Sequence, residues 1–334
     1  MSLDYPLIWA GLIGFSVLAY LLLDGFDLGI GILFPWLGGE AEQDIAMNSV
    51  APVWDGNETW LVLGGGGLFA VFPLAYAIIL PALYAPMMAM LLGLILRGVA
   101  FEYRWRTVRG KFLWNFSFTA GSLIATLAQG IMLGALIQGI EVDGRAYGGG
   151  WWDWLTPFSL VTGLAMVVGY MLLGSTWLIL KTEGALQEFS RRVAWYAGWG
   201  TLALIGIFSL WTPLLLPEYM ERWFGWPAIL YVAPVPVLVL AAGIALFLGL
   251  RRKAEAQPFI FANVLFILCY IGIIISFYPH IVPPTVTIWQ AAGPDSSLKF
   301  LLVGASVLIP IIVVYTAHAY WVFRGKIDPS AGYH

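Results

Sequence analysis

Residues 7–34 read LIWAGLIGFSVLAYLLLDGFDLGIGILF, and the only charges in that run are Asp24 and Asp27. As an α-helix rising ~1.5 Å per residue, it is long enough to cross the ~30 Å hydrocarbon core of a bilayer. The aspartates then lie roughly 26–30 Å from Leu7, at the far end of the span. Apolar Leu28, Ile30, Ile32 and Leu33 continue beyond them. Three residues apart, they share one helix face, and Gly25, Gly29 and Gly31 permit close approach of a second helix. Charge inside lipid marks a pathway, a relay or a buried pair.

Similar apolar runs recur along all 334 residues, of which 60% are hydrophobic and 10% charged. A soluble domain carries about 25% charged residues, so the composition excludes one. The ~10-residue alternating segments of a membrane β-barrel are missing as well. The reading is an all-α polytopic membrane protein, one transmembrane domain over 1–334 with nine transmembrane helices. The expected spans are about 7–34, 60–79, 82–101, 113–138, 156–180, 194–216, 227–250, 259–278 and 299–323. Two four-helix bundles plus one extra helix are expected. Pro35, Pro81, Gly148-Gly149-Gly150, Pro217, Pro279 and Pro283-Pro284 punctuate them. Met1–Pro6 lacks the basic start of a cleavable signal, so the first span is expected to be retained.

Thirteen of the 16 Lys and Arg residues fall in four segments. These are Arg97, Arg104, Arg106, Arg109 and Lys111; Lys181, Arg191 and Arg192; Arg251, Arg252 and Lys253; and Arg324 and Lys326. With nine spans all four share one face, which the positive-inside rule makes cytoplasmic, with the N-terminus outside and the C-terminus in the cytoplasm. The 35–59 connection falls on that face too, yet it carries only acidic charge: Glu40, Glu42, Asp44, Asp55 and Glu58. The net charge of −3 says little, and there is no basic tail or patch for nucleic acid.

Arg97 ends the third span on the same face of the membrane and is the natural counter-charge for Asp24 and Asp27, with Glu102 just beyond it. A structural ion pair and a proton-conducting cluster both fit these residues. Trp54-Asp55-Gly56-Asn57-Glu58-Thr59-Trp60 places two carboxylates and an amide between indoles at the interface. Asp55 or Asn57 as a helix N-cap, with Glu58 complementing the dipole, fits equally. Gly64–Gly67 lacks the Lys-Ser/Thr of a phosphate loop and suits close helix packing. His280 and His318 fall at opposite membrane faces and His334 ends the chain, so no histidine pair can share an iron; no metal site is expected. Met87, Met88 and Met90 are packing residues, and the lone Cys269 excludes an internal disulfide.

Asp24-Gly25-Phe26-Asp27-Leu28-Gly29, the block Asn48-Ser49-Val50-Ala51-Pro52-Val53 running into Trp54–Trp60, and Leu96-Arg97-Gly98-Val99-Ala100-Phe101-Glu102 closely resemble subunit II of the cytochrome bd-type quinol oxidases. The likeness runs the whole length, to Tyr315-Thr316-Ala317-His318-Ala319-Tyr320-Trp321. The lack of long hydrophilic insertions and the Trp54-Asp55-Gly56-Asn57-Glu58-Thr59-Trp60 variant resemble the cyanide-insensitive branch. The resemblance implies a respiratory enzyme of the bacterial inner membrane that oxidises quinol and reduces dioxygen to water. Haems b and d and the substrate quinol site belong to a partner, subunit I. This chain, with no catalytic residue of its own, is implied to complete the heterodimer and to help route cytoplasmic protons, and in some members oxygen, to the haem site. Asp24, Asp27, Asp55 and Arg97 match positions tied to proton conduction or assembly, with Glu58 and Glu102 beside them. Trp54, Asn57 and Trp60 are interfacial or quinone-proximal candidates. The resemblance leaves open a structural quinone and a small single-span subunit.

Two other readings stand beside this one. A stand-alone proton-coupled transporter also uses intramembrane Asp and Arg, but is expected to break its helices around a midplane site. A purely structural membrane anchor predicts that neutralising the aspartates leaves turnover intact.

Overall fold

The computed structural model describes residues 3–107 and 109–327. The first half runs α1 (Tyr5–Leu33), α2 (Glu40–Asn48), α3 (Trp54–Val71), α4 (Pro73–Ala82), α5 (Tyr84–Arg104), α6 (Lys111–Gln138), a hairpin of β1 (Val142–Asp143) and β2 (Ala146–Tyr147), and α7 (Pro157–Lys181). The second half runs α8 (Gly184–Trp211), α9 (Pro217–Phe224), α10 (Ala228–Val232), α11 (Pro234–Arg251), α12 (Ala256–Phe277), a hairpin of β3 (His280–Val282) and β4 (Val286–Thr287), α13 (Ile288–Ala291) and α14 (Asp295–Val322). Among the described residues, eight helices are long and apolar enough to cross a membrane, or nine when the bent pair α3–α4 counts as one crossing.

The helices pack as two groups of four, α1, α3, α5 and α6, and α7, α8, α11 and α12, joined where α7 lies along α1 and α6. The α1–α7 junction depends on glycine: a Cβ on Gly29 would stand 1.9 Å from the Tyr170 carbonyl oxygen, and one on Gly174 would stand 2.6 Å from the Gly29 carbonyl carbon. The two backbones touch, so the seam tolerates no side chain. The extra helix is α14, which buries only Leu298 and rests on α1 and α3.

The second expected span, 60–79, is corrected by the structure. It is two helices bent by 120°, with the first already under way at Trp54. The break is Phe72 (φ −120°, ψ 63°): the residue before a proline is pushed out of the helical region, and Pro73 has no N–H to continue the ladder. The freed Val71 carbonyl accepts from the Gly293 N–H at 2.8 Å. Starting at Trp54 makes α3 18 residues, ~27 Å, enough to cross almost alone. The sixth span also starts earlier than expected, at Gly184, since its charged first turns run past the apolar stretch.

The segments between α1 and α3, α5 and α6, α7 and α8, and α11 and α12 meet the end of α14 at one end of the bundle, here the basic end. Arg104 reaches Asp44 at 2.6 Å, Lys326 reaches Glu255 at 3.0 Å, and Arg191 donates to the Lys253 and Ala254 carbonyls. At the opposite end Trp9 Nε1 donates to the Leu298 carbonyl, and Ile140 N–H to that of Pro283.

Candidate functional site

Asp24 and Asp27 lie on the inner face of α1, both fully buried. Arg97, also fully buried, comes from α5 and places Nη1 2.7 Å from Asp24 Oδ1. Its Nη2 donates to Glu58 Oε1 from α3, whose side chain stays about a quarter exposed. Asn57, one residue earlier, links the parts: its Nδ2 donates to Asp27 Oδ2 at 2.7 Å and to the Leu23 carbonyl at 3.1 Å. Its Oδ1 accepts from the Tyr320 hydroxyl of α14 at 2.9 Å. Three helices of the first group and the outlying α14 thus converge on one polar knot at the basic end.

Helix periodicity makes the knot. Residues 24 and 27 share a face, and Asn57 and Glu58 occupy the first turns of α3, which α1 packs along. That placement corrects the capping alternative: the N-cap of α3 is Val53, with no side-chain cap, and Asp55 lies within the first turn. Trp54 stacks on Phe101 at 4.8 Å, and Trp60 is buried edge-on to Phe15 at 5.5 Å.

Two expected members lie elsewhere. Asp55 is exposed on the outer side of α3, and Glu102 is exposed with only a 3.8 Å pairing to Arg106. Five residues past Arg97, Glu102 has turned to another face of the helix.

The sequence reading missed two further polar groups. Gln129 of α6 donates to the Tyr20 hydroxyl at 2.7 Å and accepts from the Tyr170 hydroxyl at 2.9 Å, all three buried. Tyr20 lies one turn from Asp24 on the same face, so this chain continues the knot inward. Arg104, fully buried, donates to Asp44 of α2 and to Asn115 Oδ1 at 2.7 Å, and packs over the Phe34 ring. It fastens the acidic connection to the bundle. For Gln129 the available signal was a polar residue inside an apolar run, because burial demands a partner; Arg104 sits among Glu102, Arg106 and Arg109, and nothing local marks it as the buried one.

The charge balance decides what the knot can do chemically. One guanidinium faces Asp24, Glu58 and, through space, Asp27. The fully buried part of the knot, Asp24, Asp27 and Arg97, carries a net charge of −1 when all three are ionised, which a dry interior does not sustain. Neutrality there needs one proton on the buried carboxyls, with Glu58 partly in water beside them. Asp24 Oδ2, Asp27 Oδ1 and Arg97 Nε also lack hydrogen-bond partners, capacity of the kind that ordered water satisfies.

No group of three metal-ligating side chains exists among the described residues. His280 stands on β3 at the end opposite His318, which is exposed near the basic end of α14. The two cannot be the axial ligands of one iron; His334 lies outside the described residues.

Residues 5–323 match the family described as cytochrome bd terminal oxidase subunit II. The chain belongs to that family. It is 30% identical to the cytochrome bd-I ubiquinol oxidase subunit 2 of Escherichia coli K12, across 97% of this chain and 96% of that protein. It is 27% identical to the cytochrome bd ubiquinol oxidase subunit 2 of Bacillus subtilis, across 96% of each. The bd oxidase from Geobacillus thermodenitrificans contains a chain of the same fold, with a TM-score of 0.71 over 97% of this chain and 100% of that one at 18% identity. The protein is therefore a multi-pass membrane subunit of a cytochrome bd-type oxidase, a respiratory oxidoreductase, and its partner is subunit I. Family membership sets aside the stand-alone transporter. The one broken crossing among the described residues agrees: its break at Phe72–Pro73 lies at the end away from the charges.

Proposed function

We propose that this chain receives protons at the basic end of its bundle and holds them for the haem-bearing subunit of a quinol:dioxygen oxidoreductase. The basic end is cytoplasmic on this reading, in a bacterial inner membrane, because thirteen of 16 cationic residues lie there. Haems b and d and the quinol site are assigned to subunit I, which reduces dioxygen.

The observation that carries the reading is the imbalance around Arg97: three carboxyls and one cation, two of the carboxyls with no exposed surface. A structural pair needs one carboxylate per cation. Surplus carboxyls in a dry site must hold protons, and a site that holds protons beside water can pass them on. Glu58, partly exposed, is the contact with water; Asp24 and Asp27 are the store. Dioxygen reduction consumes four protons per molecule, which a haem within lipid cannot draw directly from bulk solvent.

The test is Asp24→Asn in the assembled oxidase. The expected complex contains its haems, shown by an unchanged optical spectrum, and consumes oxygen more slowly by about a hundredfold or more, the scale of a lost proton-transfer group. Full turnover would return Asp24 to a structural role and support the membrane-anchor reading.

A further inference from the structure

The α3–α14 contact leaves a partly open pocket of about 10 Å³ lined by Pro52, Gly56 and Asn57 on one side and Tyr315, Thr316 and Tyr320 on the other. That is space for about one water molecule. Asn57 stands between the pocket and Asp27, its amide committed to Asp27 and Leu23 and its carbonyl accepting from Tyr320. Behind it, Asp27 Oδ1 is buried with no hydrogen-bond partner.

The helix on the far side of this pocket makes few buried contacts with the rest of this chain. It buries only Leu298, and Pro310 within it removes the N–H that would bond the Ser306 carbonyl. Its basic end is tied by Tyr320 to Asn57, by Lys181, which donates to the Phe323 and Gly325 carbonyls, and by Lys326, which pairs with Glu255 and donates to the Thr182 carbonyl. The lysine ties lie beyond the helix end, so the Tyr320 hydroxyl is the side-chain hydrogen bond from the helix itself at the pocket wall.

Resting on the proton-holding reading above, we propose that protons reach Asp27 through this one-water pocket between α3 and α14, with the Tyr320–Asn57 hydrogen bond as its latch. With the latch closed, an amide separates the water from the carboxylate, and an amide is a poor relay. When Tyr320 releases it, Asn57 turns aside and a hydrated proton in the pocket meets Asp27. An O–H bond of the hydronium breaks, an O–H bond forms on the carboxylate, and neutral water remains.

The test fills the pocket without touching the carboxyls. A methyl at Gly56 would meet only the Tyr315 ring edge, at 3.8 Å, an ordinary contact. Gly56→Ala therefore folds and displaces the water; Thr316→Val keeps the volume and removes a polar wall. Both are measured in the intact oxidase beside Asp27→Asn, with haem spectra, oxygen consumption and the solvent deuterium isotope effect. Turnover of Gly56→Ala is expected to fall about tenfold, less than for a wholly lost transfer group because water still reaches Glu58. Its isotope effect should rise as proton entrance becomes limiting, and Thr316→Val should follow. Wild-type rates in both pocket variants with a slow Asp27→Asn would overturn the entrance and leave the proton-holding reading standing. A wild-type rate in Asp27→Asn as well would sink both. Slowing of Gly56→Ala with an unchanged isotope effect would mark a packing defect and also overturn the entrance.

Discussion

Replacing Arg97 by methionine removes a guanidinium with no exposed surface while keeping most of its length. Glu58, about a quarter exposed, can turn to solvent; Asp24 cannot, because its only close cationic partner is gone and none of its surface is exposed. Breaking a buried pair by deleting one partner costs about 3–5 kcal/mol, since the remaining charge is stranded. At roughly 2 °C per kcal/mol for a chain of this size, the melting temperature should drop ~6–10 °C. Asp24→Asn should cost less, ~1–3 kcal/mol, because Arg97 keeps Glu58. The double variant Arg97→Met/Asp24→Leu should recover part of the loss, so the two changes are strongly non-additive. The assay is thermal unfolding of the purified oxidase in lipid nanodiscs at one scan rate, followed by tryptophan fluorescence. A loss below ~1 kcal/mol for Arg97→Met, or simple additivity in the double variant, would refute the buried-pair reasoning.

Gly29→Ala should prevent assembly, because its methyl would stand 1.9 Å from the Tyr170 carbonyl oxygen where α1 and α7 touch; co-purification of subunit I reads this directly. Asp55→Asn should assemble with haems intact and turn over more slowly if the exposed carboxylate collects protons, whereas unchanged oxygen consumption would confine it to the helix dipole. Glu40 gives a pH dependence: the Lys111 ammonium beside it holds its carboxyl below the ordinary range. A depressed folded-state value contributes stability above the unfolded pKa of about 4.3, and that contribution is lost as pH falls through the folded value. Hydrogen exchange in α2, corrected for intrinsic rates, should therefore quicken as pH drops below about 4. Lys111→Met should flatten that response, and so should high salt, since the pair is exposed.

The fold class was legible because apolar length and the clustering of basic loops are one-dimensional signals. Asp24, Asp27 and Arg97 were legible for the same reason: a charge in an apolar run stands out, and counting residues places it at a helix end. The bend at Phe72 was not found, although Phe72-Pro73 was in view. Residues on both sides are apolar, and hydropathy is blind to direction. Glu102 was grouped with Arg97 by closeness in sequence, but five residues of helix carry it to a different face. Gln129, Tyr20 and Tyr170 escaped notice because neutral polar groups read as packing until three helices are brought together. Asn57 was placed with the indoles of its segment; its role as the bridge from Asp27 to Tyr320 required the α14 contact, which no local pattern announces.

Infrared difference spectroscopy of the assembled oxidase, comparing reduced and oxidised states in H₂O and D₂O, observes the protonated carboxyls themselves. The account predicts a protonated-carboxyl band that changes with redox state, shifts in D₂O, and is lost or altered in Asp24→Asn and Asp27→Asn. A difference spectrum whose carboxyl region is identical in wild type and both variants would contradict it.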